Sequence, residues 1–306
     1  MSDFDTVKLL QFRAAYNLPI HVGMETAIFS RHGLALKIAY TPNSSYLIRC
    51  LKEGSVDIGH TAADDVIADV GSDPRSDLFL FMGLHGGLFS LIAASQYNSV
   101  ESLRGTSIGV DRADSGFALV LENMLSARGW ARNDYRLIEI GGWESRYRAL
   151  LDGKIAATLL TEPFIASASQ AGFQLLAKES EMIPSYQGTC GAASRRWVER
   201  RPDALLRYIR AYVEATDWCF RSENRGYCLD ILIRHNSIER PAAEHTLDSL
   251  LDRAHGLYPK AALNISGVAA ALGLRADLGY LARPVPPIER FIDLSYYHRA
   301  LSAGAE

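Results

Sequence analysis

The chain has 306 residues, 48% hydrophobic and 22% charged, with a formal net charge of −3. At roughly 150 residues per domain, that length holds about two domains and a sizeable core. Aromatic content of 9% and only 11 prolines exclude a disordered or fibrous chain. The near-neutral balance excludes a protein built around nucleic acid and disfavours a polybasic membrane binder.

From the N-terminus, Val7–Phe12 predicts a strand, followed by an apolar-periodic helix over His21–Ser30 that stops before Gly33. Ala35–Tyr40 is a second strand, Tyr46–Lys52 a helix stopped at Gly54, Val56–Gly59 a third strand and Ala62–Val70 a helix. Leu78–Leu84 and Ser90–Ala94 are apolar runs flanking Gly86 and Gly87. Ser107–Val110 is the next strand, Asp111–Ser115 a loop and Gly116–Ala127 an amphipathic helix. Then come strand Arg136–Ile140, the turn Gly141–Gly142, helix Trp143–Leu151, strand Ile155–Leu160, helix Pro163–Ala171 and a last strand at Phe173–Ala177. After about residue 194 only helices follow: Pro202–Phe220, then 223–234, 240–256, 264–272 and 287–301. This alternation predicts parallel sheets with right-handed crossovers, one of them wrapped by the late helices. Leu51–Ile58 echoes Leu151–Ala157: each is a helix end, a glycine stop and a short buried strand, third in its own βαβαβ series.

The four cysteines, Cys50, Cys190, Cys219 and Cys228, have no C-x-x-C spacing, so neither a zinc knuckle nor a disulfide scaffold is expected. No metal and no cofactor are expected. No stretch is long and apolar enough to span a membrane. The first residues lack a basic segment followed by an apolar one, so the chain as written is expected in the cytoplasm, or in the periplasm if a signal peptide has been removed.

Five pieces, in order and spacing, resemble one family: Leu51–Gly59 (LKEGSVDIG), Ser102–Val110 (SLRGTSIGV), Asp114–Ala118 (DSGFA), Leu150–Phe164 (LLDGKIAATLLTEPF) and Trp197–Ala211 (WVERRPDALLRYIRA). Together they resemble the nitrate, sulfonate and taurine substrate-binding family, which also holds thiamin-pyrimidine binding proteins and fungal thiamin-pyrimidine synthases. The resemblance implies an α/β, two-lobe periplasmic-binding-protein fold of type II, with a ligand cleft between the lobes and a helical C-terminal region. Lobe one would comprise 1–86 plus 190–306 and lobe two 87–189, closing on the ligand by a hinge motion. The implied role is to bind a small polar molecule, aromatic and bearing a sulfonate or carboxylate, for an ABC permease or as a sensor.

On that plan four loops face the cleft. The first supplies Tyr16, Asn17 and His21; the second supplies Asn43, Ser44 and helix N–H groups, which suit an anion unless the serines cap the helix. After the third strand come His60, Thr61 and Asp64, with Asp65 read as a partner of the helix dipole. The fourth offers Ser115 and Gly116. His85 lies before the presumed hinge glycines, and Glu162 precedes Pro163. In Gly141–Arg146 (GGWESR), Trp143 can stack on a flat ligand and Arg146 can fork onto an acid group, or the two can pack the lobe surface.

The alternative is a cytosolic lyase or hydrolase of the same fold on an aromatic acid, using His60, Arg146 and Cys190, with Asp64 paired to His60. Against it, the desulfinase-like nucleophile position holds Leu18, and the stretch Gly59-His60-Thr61 lacks the lysine of the pyrimidine synthases, although GGWESR resembles a desulfinase stretch.

Overall fold

The computed structural model describes residues 4–302. The chain begins with β1 (Asp5–Gln11), α1 (Leu18–Glu25), α2 (Ile28–Arg31) and β2 (Leu34–Tyr40). It continues through α3 (Ser44–Glu53), β3 (Ile58–Ala62), α4 (Ala63–Ser72) and β4 (Leu78–Gly83). A crossover over 84–88 leads to β5 (Phe89–Ala93), β6 (Ser107–Val110), α5 (Gly116–Ala127), β7 (Arg136–Glu139) and α6 (Trp143–Leu151). Then come β8 (Ala157–Thr161), α7 (Phe164–Gln170), β9 (Gln174–Lys178) and α8 (Glu179–Met182). A second crossover returns the chain to β10 (Thr189–Ser194), α9 (Arg195–Arg200) and α10 (Pro202–Cys219). The tail is helical: α11 (Arg225–Asn236), α12 (Arg240–Leu251), α13 (Ile265–Asp277) and α14 (Ser295–Ser302).

The strands form two five-stranded sheets, ordered β2-β1-β3-β10-β4 and β7-β6-β8-β5-β9. Each starts with three parallel strands, and β3 and β8, the strands of the sequence echo, occupy the same place. Each then takes its fourth strand from across a crossover, and that strand runs antiparallel to both neighbours. The expected all-parallel sheets are thus corrected to mixed ones. Thr189–Ser194 was not expected as a strand, because TCGAAS has little β propensity. Burial decides instead: all six of its residues are buried, and neighbours on both sides pair its backbone.

The expected helix over 21–30 is split in two, because Ala27 takes a left-handed conformation at φ 58°. β3 runs to Ala62 rather than Gly59, since pairing with β10 continues that far.

The C-terminal helices do not stay with the first sheet. α13 packs on both α4 and α5, and α12 on α7 as well as the turn over Ala15–Asn17. The segment between them is tied to both crossovers. Tyr258 N donates to Leu84 O at 2.8 Å, and Leu257 bridges His85. Tyr258 Oη donates to Tyr186 O at 3.2 Å, and Asn264 N to Gln187 Oε1 at 2.8 Å. A β-carbon at Gly267 would stand 2.5 Å from the Gln187 backbone nitrogen, so only glycine lets α13 approach this closely.

Candidate functional site

The C-terminal ends of β1, β3 and β6 and the N-terminus of α6 converge between the sheets, as expected for an α/β fold whose loops leave the carboxyl ends of the strands. They enclose a cavity of about 20 Å³. That admits about one water, so a larger ligand enters only by widening the cleft. Phe12, Tyr16, Asp65, Asp111, Trp143 and Arg146 form most of its wall, with Ser115, Gly116 and Phe117 at the start of α5.

Arg146 is 2% exposed and its guanidinium carbon lies 4.2 Å from the Trp143 ring centroid. Its Nε has no hydrogen-bond partner among the described residues, and it forms no salt bridge there. Burial pulls its pKa down to about 10, against the opposing pull of Asp111 and Tyr16. Trp143 continues an aromatic row: its ring is 5.3 Å from that of Phe117, which is 4.6 Å from that of Phe89. Asp65 is buried and accepts from Thr61 Oγ1 at 2.6 Å, and burial raises its carboxyl to about 7. Asp111 Oδ2 accepts from Ser44 Oγ at 2.5 Å and from Ser44 N at 3.2 Å, while its Oδ1 is buried without a partner among the described residues.

Several bonds close the cleft around this cavity. Besides Ser44–Asp111, Arg112 Nη1 donates to Ser45 Oγ at 2.9 Å and Gly142 N to Pro42 O at 3.0 Å. Arg275 of α13 forks onto Asp64, with Nε and Nη2 at 2.9 and 2.8 Å, and Nη2 also donates to Asp114 O at 2.5 Å. One side chain from the tail thereby holds the α4 side and the α5 side together. Beyond these bonds open two outer cavities of about 600 and 300 Å³, the larger lined partly by Arg112, Arg275 and Asp65, the smaller partly by Asn43 and Ser44.

Among the residues singled out from sequence, Tyr16, Ser115, Gly116, Trp143 and Arg146 line the inner cavity. Ser115 Oγ donates to Arg112 O at 2.8 Å rather than capping α5, and a β-carbon at Gly116 would sit 2.4 Å from Tyr186 Oη. Thr61 acts through Asp65, and Ser44 through Asp111. Asn43 caps α3 by accepting from Tyr46 N at 2.8 Å.

The others lie elsewhere. Asn17 Nδ2 donates to Phe12 O at 2.7 Å behind the wall. His21 stacks on His235 at 3.8 Å, outside the cleft, with burial lowering its pKa to about 4. His60 lies under α10 with Nε2 2.8 Å from Tyr208 Oη, and His85 Nδ1 accepts from Gly87 N at 3.1 Å. Burial lowers both to about 3, so both are neutral at physiological pH. Asp64 faces Arg275, so the expected His60–Asp64 acid–base pair does not form. Glu162 accepts from Ala166 N at 3.2 Å and from Thr246 Oγ1 at 3.3 Å, joining β8 to α12. Cys190 is fully buried in β10, where burial pushes its thiol well up, out of thiolate range. Of the three residues of the enzymatic alternative, only Arg146 reaches the cavity.

Sequence reasoning missed Phe12, Asp111 and Arg275 and gave Asp65 to the helix dipole. Phe12 and Asp111 carried a signal, each directly following a strand. Arg275 carried none: it lies 211 residues from its partner.

The two mixed sheets with a cavity between them define a two-lobe, periplasmic-binding-protein-like fold, and solved structures share it. The nitrate-binding protein NrtA of Synechocystis PCC 6803 superposes with a TM-score of 0.84 at 13% identity, covering 98% of this chain and 89% of that one. A ligand-binding component of an ABC-type import system from Staphylococcus aureus gives 0.79 at 15% identity, over 97% and 99%. The aliphatic sulphonate binding protein SsuA of Escherichia coli gives 0.72 at 18% identity, over 94% and 92%. Comparison with curated proteins gave no match. The NMT1-like family model matches residues 5–233, and the chain belongs to that family. No helix among the described residues is long and apolar enough to cross a membrane.

Proposed function

We propose that the chain binds a small polar molecule, aromatic and bearing a carboxylate or sulfonate, in the cavity between the sheets, as the substrate-binding component of an ABC-type importer. The observation that carries this reading is Arg146: a buried guanidinium with no acid partner of its own, lying against the Trp143 ring. A cation so placed is costly in an empty protein and is answered by an acid group on a ligand. The aromatic row beside it gives a flat ligand a face to lie on. The structural neighbours support the role: two are named as periplasmic binding proteins for nitrate and sulphonate and one as a component of an ABC-type import system, which supports a place for this chain beside a permease on the outer face of the membrane.

The test is native mass spectrometry of freshly purified protein, with denaturing release of whatever is bound. One small acid is expected to leave the wild type, and Arg146→Ala is expected to retain its circular dichroism spectrum while binding that acid at least a hundredfold more weakly. An Arg146→Ala protein that binds as wild type does would sink the assignment.

A further inference from the structure

Arg146 does not stand alone in the cavity. Two carboxylates, Asp65 and Asp111, share its wall, and Asp111 Oδ1 is buried there without a hydrogen-bond partner. The other Asp111 oxygen is occupied by Ser44, and the Asp65 carboxylate is bonded through one oxygen to Thr61. Asp111 lies near enough for its charge to act on Arg146, yet no hydrogen bond joins the two. The enclosed space therefore offers an unanswered donor, Arg146 Nε, and an unanswered acceptor, Asp111 Oδ1.

Charge decides what can fill it. A simple anion would answer Arg146 but would sit, in a low-dielectric enclosure, beside a carboxylate that already lacks a donor. A simple cation would answer Asp111 and leave Arg146 as it is. Only a molecule carrying both characters pairs both Arg146 Nε and Asp111 Oδ1. Trp143 and Phe117 add that its framework is flat.

We infer that the cavity selects an amphoteric ligand: an acid group paired with Arg146 and an ammonium, amidinium or other N–H donor paired with Asp111, on a planar framework. The inference rests on the binding role proposed above and narrows it, separating this site from one that holds a bare anion. Asp111 is then the specificity-determining residue, and Arg146 the anchor.

The test is calorimetric titration of the full chain with matched probes: 3-(aminomethyl)benzoate, which has both groups, 3-methylbenzoate and 3-methylbenzenesulfonate, which have only the acid, and benzylamine, which has only the amine. The expected result is at least tenfold tighter binding of 3-(aminomethyl)benzoate than of the other three, and near-equal binding of it and 3-methylbenzoate to Asp111→Asn. Ser44→Ala removes the hydroxyl bond to Asp111 but keeps the carboxylate and the bond from the residue 44 backbone N–H, so it is expected to keep the tenfold preference. Equal or tighter binding of an acid-only probe by wild type, or a preference that survives Asp111→Asn, overturns the inference and leaves the binding role standing. Binding of none of the probes to folded protein also overturns it. The binding role itself falls only with the Arg146→Ala result described above.

Discussion

At the scale of single residues, the cavity wall holds groups whose burial opposes their charge, and pH exposes this. Asp65 has its carboxyl raised by burial to about 7, against 3.8 for the free group. Between those values the folded protein holds a proton that the unfolded chain has lost. Its contribution to stability therefore falls as pH rises from about 4 to about 7 and stays low above. Asp65→Asn keeps an acceptor for Thr61 and removes the titration. The variant is expected to match wild type near pH 4 and to be more stable by roughly 2–4 kcal/mol at pH 8, measured by urea unfolding across that range. His21, His60 and His85, lowered to about 4, 3 and 3, act in the opposite sense: they stay neutral in the fold while the unfolded chain takes up their protons below about 6.5, so stability falls as pH falls from there. Comparing variant with wild type cancels their share.

The sequence displayed some of this chemistry and hid the rest. Gly141–Arg146 was legible because a glycine turn, an indole and a guanidinium stood together at a strand-to-helix junction. His60 misled, because a histidine after a strand looks the same whether it faces a cleft or, as here, a tyrosine of α10. Which face a side chain takes is a matter of sheet register, and register is set by partners distant in sequence.

At the scale of elements, α13 does work that its composition does not announce. Its Arg275 side chain is 3% exposed and holds Asp64 by two bonds. Removing one partner of such a pair strands the other charge in the interior. Arg275→Ala is expected to cost about 3–5 kcal/mol in urea unfolding, and adding Asp64→Leu to it is expected to recover more than half of the loss. A double variant no better than the single one would mean that the packing of α13, not the charge pair, carries the cost. Helices and parallel strands were legible from period and glycine stops. β10 was not, because TCGAAS is a strand only by virtue of the two strands that flank it. The tail helices were legible as helices, but their partners on both sides of the cleft were not, since helical period gives a buried face and not the surface it meets.

At the scale of the whole molecule, the family was legible because five modest pieces kept their order, although none is specific alone. The hinge motion implied by that resemblance meets an obstacle. The crossovers over which the lobes would bend are hydrogen-bonded to the segment around Tyr258 and Asn264, and α13 spans the cleft. Empty wild-type protein is therefore expected to be closed already, and because its cavity admits only about one water, small-angle scattering is expected to show a radius of gyration that rises slightly, and does not fall, when ligand is added. Arg275→Ala is expected to expand when empty and contract when ligand is added. A wild type that contracts on binding would show that the brace yields.

The late arrival of β10 in the middle of the first sheet also sets an order of events on the ribosome. Strands of the second sheet lie within residues 89–178, an unbroken stretch that can complete its sheet as soon as it emerges. The first sheet begins earlier but stays open between β3 and β4 until β10 arrives. Synthesis proceeds at about 5–20 residues per second, so that gap lasts several seconds or more. Over that interval β3 and β4 present exposed apolar strand edges, a template for aggregation or for a chaperone. The later half of the chain thus closes the fold of the earlier half, and a nascent chain stalled before residue 189 is expected to be the form most in need of protection.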